Sequence, residues 1–486
     1  MAAATYGVDW DSDDESEGGF TVQFSVDDDS DPDDNWRWRD GESWHVPEEY
    51  RCLWIGGEVD PHDEKYERLM GLLLHDKRRW ETIYLTQEGR PSSAGFLSIL
   101  QATFSKADAL HLSDCMVDNA SFACLNSGIM VNDGIKDVQI WASPVRPITG
   151  AQMIMLSQGL ATTTTLETLG LPVDLTGPGV VRYLIAGLEA NKSLKYLKLC
   201  WCKYPRDTLP KLISALHSHP KLRRLMLRTD ELRDSQVQLS LQSLLSSDNC
   251  KLEDVDLMRP ISHEQANASS RFSLGQFDNP NTPMKSLHLG RLDLEDSSLR
   301  QMLPSCRYIV ELNLCGNKIC DLEPLDFLLL GESCSLETLH LEENPITVDS
   351  ARIFARKLPK MNVLRRLGLR ESPFLEDQEF LEEFIDHANQ NSSMEWLRIF
   401  TTYDKVTTLR PKLMYGPSLN RAGRRYLGHN PGNLPLKLLP TAFLRSREIY
   451  YFDPLGSPKV PDARLDGLDA TFWLLRENSA LHSHFV

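Results

Sequence analysis

Aliphatic residues recur along this chain in a fixed trio, apolar-x-x-apolar-x-apolar, at intervals of 25–32 residues. The clearest trios are Leu194, Leu197 and Leu199; Leu222, Leu225 and Leu227; Leu336, Leu339 and Leu341; and Leu364, Leu367 and Leu369. The middle position runs Leu53, Ile83, Leu110, Val138, Leu169, Leu197, Leu225, Val255, Leu287, Leu312, Leu339, Leu367 and Leu397, thirteen places without a gap. The first position is looser and holds Tyr50, Trp80, Ala107, Ile135 or Met284 in some copies, while the third stays aliphatic. Apolar positions two apart share one face of a strand, so each copy predicts a short strand with one buried side. A period of this size marks a stacked architecture in which no copy closes a core alone.

The rest of each copy carries a helical pattern. Residues 347–357 predict a helix with Ile353 and Phe354 apolar and Asp349 as the start signal. Residues 210–217 and 377–387 read similarly, and residues 262–283 read as a loop-like insertion. An Asn or Cys follows several strands, at Cys115, Cys202, Asn317 and Asn344, where it would bond backbone groups that the sheet leaves free. The combined pattern, LxxLxLxxN/C, resembles the leucine-rich repeat, most specifically in ELNLCGNKI at 311–319 and TLHLEENPI at 338–346. The period and the helix after each strand resemble the ribonuclease-inhibitor-like class over residues 50–400. That resemblance implies an α/β leucine-rich-repeat solenoid, a horseshoe with an inner parallel β-sheet and outer helices, capped at both ends.

Charge and composition add the two ends. The expected organisation is a disordered acidic tail at 1–35, an N-terminal aromatic cap at 36–49, a repeat domain of about thirteen copies at 50–403, and a C-terminal cap with a basic segment and helices at 404–486. Twelve of the 69 acidic residues, and none of the 52 Lys and Arg, lie in the first 35 positions. Such a stretch cannot bury enough apolar surface to order itself. Most of the net charge of −17 therefore sits in the tail, and the repeat region is nearly neutral, a poor match for nucleic acid. Residues 405–447 carry nine basic and no acidic side chains and could dock an acidic partner or the tail itself. No apolar run approaches the roughly 18 residues that span a bilayer, and the acidic start lacks a signal-peptide pattern. These features predict an intracellular, cytoplasmic protein without membrane contact, the nucleus being equally open. The ten cysteines are scattered and are expected to be reduced. Four Asn-x-Ser matches, at Asn119, Asn191, Asn267 and Asn391, are expected to be chance rather than glycan sites.

The chain shows no phosphate-binding glycine loop, no HExxH and no GxSxG. No cofactor and no metal are expected, and His288 and His340, two copies apart, would stand about 10 Å from each other. In the resembling fold the non-leucine strand residues line the concave face. One such column reads Trp54, Tyr84, His111, Gln139, Gly170, Lys198, Met226, Asp256, His288, Asn313, His340, Gly368 and Arg398. Binding hot spots favour Trp, Tyr and Arg, which selects Trp201, Arg223, Arg224, Met226 and Arg228 as one candidate cluster and Trp396, Arg398 and Phe400 as another, with His288 and His340 between. Basic and acidic blocks alternate along this face, which suits a folded protein partner. The expected function is a non-enzymatic protein–protein interaction scaffold or adaptor, monomeric, gripping a protein on the concave face. Two alternatives reached through the resemblance are a substrate receptor of a ubiquitin ligase and a Ran-type GTPase activator.

Overall fold

The computed structural model describes residues 21–25, 36–37, 417, 420 and 51–399, the last without 57–61, 63, 76–77, 87–93, 114–118, 132–133, 142–147, 172–174, 178, 201, 206, 261–271, 278–282 and 332–333. The chain divides into two units, one of residues 11–270 and 277–284, the other of 1–10, 271–276 and 285–486.

In the first unit strands and helices alternate. The strands are β1 (Thr21–Ser25), β2 (Trp36–Arg37), β3 (Cys52–Gly56), β4 (Trp80–Thr86), β5 (Ala107–Ser113), β6 (Asp137–Trp141), β7 (Thr168–Gly170), β8 (Tyr196–Cys200), β9 (Arg224–Arg228) and β10 (Asp254–Met258). Helices α1 (Glu64–His75), α2 (Ala94–Thr103), α3 (Asn119–Val131), α4 (Gly150–Thr162), α5 (Val180–Ala190), α6 (Leu209–Ala215) and α7 (Ser235–Ser246) follow β3 to β9 in turn. The second unit holds β11 (Ser286–Gly290), α8 (Asp296–Met302), β12 (Glu311–Asn313), α9 (Asp326–Leu329), β13 (Thr338–His340), α10 (Val348–Lys357), β14 (Arg366–Gly368), α11 (Gln378–Gln390) and β15 (Trp396–Arg398).

The sequence register is the structural register. β3 to β10 are parallel, and their middle residues face one another as Leu53, Ile83, Leu110, Val138, Leu169, Leu197, Leu225 and Val255. In the second unit the ladder runs Leu287, Leu312, Leu339, Leu367, Leu397. Every one of these thirteen side chains is buried. Each fully buried aliphatic side chain contributes roughly 1.5–3 kcal/mol, and the contribution exists only because the next rung covers it.

Side-chain amides stitch the rungs. Asn317 Nδ2 donates to the carbonyls of Leu289 (2.7 Å) and Leu314 (2.8 Å), while its Oδ1 accepts from the amides of Leu292 (3.0 Å) and Leu294 (3.1 Å). Asn344 does the same one rung later, donating to the carbonyls of Leu314 (2.9 Å) and Leu341 (3.0 Å) and accepting from the Ile319 amide (3.2 Å). The Cys202 thiol donates to the Leu171 carbonyl at 2.9 Å; Cys115 lies outside the described residues. A second ladder sits before the strands. Asn191 accepts from the amides of Ser193 and Leu194 and donates to the Leu160 carbonyl, and Asn391 repeats this with Ser393, Met394 and Leu358. Two of the Asn-x-Ser matches are thus internal struts, 1% and 0% exposed. Asn267 lies outside the described residues. Asn420 donates to the carbonyls of Asn391 (2.8 Å) and Met394 (2.7 Å), carrying this ladder one step past β15.

Three local expectations change. Helix α10 is capped by Thr347, whose hydroxyl accepts from the Ser350 amide, and Asp349 lies within its first turn. The helix expected at 210–217 is α6, ending at Ala215. Thr21–Ser25, inside the stretch expected to be a disordered tail, forms β1, antiparallel to β3 and to β2. TVQFS carries no charge and alternates apolar with polar residues, so it can cover the outer edge of β3 with Val22 buried. The nine described cysteines are free thiols, five of them buried. No described helix is long and apolar enough to cross a membrane.

Candidate interaction face

Because side chains alternate along a strand, the residues flanking each buried leucine point away from the core. They form the open face of each sheet, and the register stacks equivalent positions about 4.8 Å apart.

In the first unit the open face begins with aromatics. Trp54 and Tyr84 stack with ring centroids 3.6 Å apart and planes 4° from parallel, and His111 meets Tyr84 edge-on at 4.8 Å. Next, Gln139 is buried and lies over Gly170, where an added Cβ would come within 3.1 Å of Gln139 Cγ. Further along, Tyr196 stands between two cations, with Lys198 Nζ 4.9 Å and the Arg224 guanidinium 4.5 Å from its ring centre. Met226 Sδ lies 3.9 Å from the Tyr196 hydroxyl.

The alternating charge blocks turn out to be rungs of paired charge. Lys195 meets Glu167 at 2.7 Å, Arg223 meets Glu253 at 3.4 Å, Arg224 meets Asp254 at 2.8 Å and Arg228 meets Asp256 at 2.9 Å. The first three pairs share a register position on adjacent rungs, where opposite charges are direct neighbours, and Arg228 reaches Asp256 diagonally. The Arg228–Asp256 side chains are only 11% and 7% exposed. Removing one partner of such a pair leaves a buried unmatched charge and costs about 3–5 kcal/mol. Arg228, chosen from the sequence as a partner contact, is therefore part of the framework. Arg223 and Arg224 remain part-exposed but already hold carboxylates. Trp201 lies outside the described residues.

The open face of the second unit is built of histidine–carboxylate pairs. His288 Nε2 lies 2.9 Å from Ser286 Oγ and 3.4 Å from Glu311 Oε1. This hydrogen bond holds the Glu311 carboxyl down at about 2 against an opposing effect of burial. His340 Nδ1 lies 3.3 Å from Glu342 Oε1, whose other oxygen accepts from the Cys315 thiol at 2.8 Å. Burial, and then the adjacent Glu342 carboxylate, push the Cys315 thiol far above its usual range. A thiol held protonated in this way is not a nucleophile. The Glu342 carboxylate occupies the space a side chain at position 368 would need, which explains Gly368. Across that glycine rung the His340 and Trp396 rings meet edge-on, with centroids 6.2 Å apart. Trp396 and Arg398 are half-buried on β15, and Phe400 lies outside the described residues. His288 and His340 thus belong to separate pairs. Among the described residues no group of three or more His, Cys, Asp or Glu side chains is placed to hold a metal ion.

The sequence reading missed two features. One is the Trp54–Tyr84 stack, whose signal was an aromatic at the same column position in consecutive copies. The other is the pairing of the charges, whose signal was an opposite charge one repeat away.

No protein-family model matches this chain, and no curated protein matches it in sequence. Among solved structures it is similar to an internalin from Listeria monocytogenes, with 12% identity, coverage of 73% of this chain and 87% of that one, and a TM-score of 0.34. It is also similar to the leucine-rich repeat-containing protein LegL7 from Legionella pneumophila, with 12% identity, coverage of 74% and 97%, and a TM-score of 0.37. On the evenly stepped parallel strands, their returning helices and the asparagine ladders, each unit of this chain has the fold of an α/β leucine-rich-repeat solenoid.

Proposed function

We propose that this protein is a non-enzymatic recognition scaffold that takes up a protein partner on the open strand face, without nucleic acid, membrane or cofactor. The observation that supports this reading most is the composition of that face. It presents half-buried aromatic and polar side chains on a rigid parallel ladder, from Trp54 and Tyr84 through Tyr196 and Met226, and again at His340 and Trp396. Rigid amphipathic rings lose little entropy on contact and dominate binding energy at such surfaces. Arg224, Met226, Trp396 and Arg398 are the sequence-chosen residues that keep a role as direct contacts. Arg223, His288 and His340 shape the charge around them, and Arg228 supports the ladder.

The test uses the full chain as bait in cells of its source, with captured proteins quantified by mass spectrometry. Trp396→Ala and the pair Arg224→Ala with Met226→Ala should each lower capture of a shared partner about tenfold. Ile353→Ser on α10, 52% exposed on the helical side, should leave capture unchanged. Equal capture by all variants, or loss with the helical-side variant alone, overturns the assignment.

A further inference from the structure

Among the described residues Lys198, on the first unit's open face, is a cation without an ion pair. Arg224 and Arg228, on the next rung, are held by Asp254 and Asp256. Lys198 has no described carboxylate within ion-pair distance. Its ammonium rests only against the Tyr196 ring. Gly170 and Met226, its neighbours in register on either side, carry no charge. Burial draws the Lys198 ammonium below the usual lysine range, with the more distant Asp137 opposing the effect. An incoming carboxylate would therefore relieve an existing cost as well as form a charge-assisted bond.

The same column carries the Trp54–Tyr84 stack. From Tyr84 on β4 to Lys198 on β8 there are four strand steps, about 19 Å at the usual strand spacing, which an extended chain crosses in about six residues. An aromatic platform and a cation without a described ion-pair partner at that separation on one rigid face select a ligand with two features in the same spacing.

We propose that Lys198 is the charge anchor for an extended acidic segment of the partner protein, with an Asp or Glu at Lys198 and an apolar or aromatic side chain about six residues away over Trp54 and Tyr84. This rests on the reading of the open face as the recognition surface and adds the chemistry of what it recognises. Arg224, chosen from the sequence, is exposed but already paired. Lys198 is less conspicuous in the sequence and has no described carboxylate within ion-pair distance.

The test is selection of a random twelve-residue peptide library on the full-length protein, followed by anisotropy titration of the labelled winners. The expected winners share one acidic position and an apolar or aromatic position about six residues from it. Lys198→Met should weaken them about tenfold or more, with an unchanged melting curve because no ion pair is lost. A fresh selection on Lys198→Glu should replace the acidic position by Lys or Arg. Winners without an acidic position, winners that bind Lys198→Met as well as the native chain, or no winners at all overturn the proposal. If acid-free winners are still lost on Trp54→Ala, the open-face reading survives and only the acidic anchor falls. Winners indifferent to both substitutions overturn both. A synthetic peptide of residues 1–20 that displaces the winners would assign the anchor to the chain's own acidic end rather than to a partner.

Discussion

At the scale of single residues, an asparagine side chain is the smallest group that can donate twice and accept twice. That capacity decides where Asn occurs in this protein. Asn317 and Asn344 each close carbonyls and amides that a turn between strand and helix would otherwise strand in an apolar interior. Leucine of similar size would leave those groups unbonded, and each buried orphan costs about 1–3 kcal/mol. Asn344→Leu should thus destabilise the protein by about 3 kcal/mol or more, read as a lower urea midpoint at unchanged slope. A loss below about 1 kcal/mol would mean that water replaces the lost bonds. The sequence made Asn317 and Asn344 legible because they follow the leucine trio. Asn191 and Asn391 were legible only as Asn-x-Ser matches, since nothing in three letters reveals that the amide is pointed inward.

Among elements, the rungs differ most in how their open face handles charge. Lysine or arginine meets carboxylate between the β7 and β8 rungs and between β9 and β10, whereas histidine meets carboxylate between β11 and β12 and beside β13. The Glu311 carboxyl, bonded by His288, titrates at about 2 instead of the ordinary 4.5. A carboxyl whose folded value is depressed stabilises the fold above its unfolded value. That stabilisation is lost as pH falls from 4.5 towards 2, because the unfolded chain takes up the proton first. Glu311→Gln should lower the denaturant midpoint above pH 5 and flatten its fall across this interval, so that the two proteins converge at the acid end. An equal slope in both proteins would place the acid sensitivity elsewhere. The register of these pairs follows from the sequence once the leucines are aligned. Their identity as pairs does not, because a charge on a strand has neighbours on both sides and in solvent, and only coordinates show which it meets.

Over the whole molecule, a ladder of this kind is held by nearest neighbours. Leu197 in β8 lies between Leu169 and Leu225. Leu197→Ala should cost about 2–5 kcal/mol. In hydrogen exchange the amides of β7 and β9 should lose protection first and most, with β4 in the same unit affected least. Uniform loss across β3 to β10 would show instead that the unit opens as one cooperative block.

What the sequence settled alone was the repeat: thirteen aliphatic places, their register, and the alternation of strand with helix. Burial of a periodic apolar set admits one alignment, since a slip by one residue would turn every leucine to solvent. The tertiary structure decided what the open face has left to offer. It paired Arg223, Arg224 and Arg228 within the chain, set the Cys315 thiol against Glu342, stacked Trp54 on Tyr84, and placed no described carboxylate within ion-pair distance of Lys198. Those outcomes depend on residues roughly one repeat apart meeting across a strand spacing. The distance between them is set by the stacking of rungs and not by any local stretch of chain.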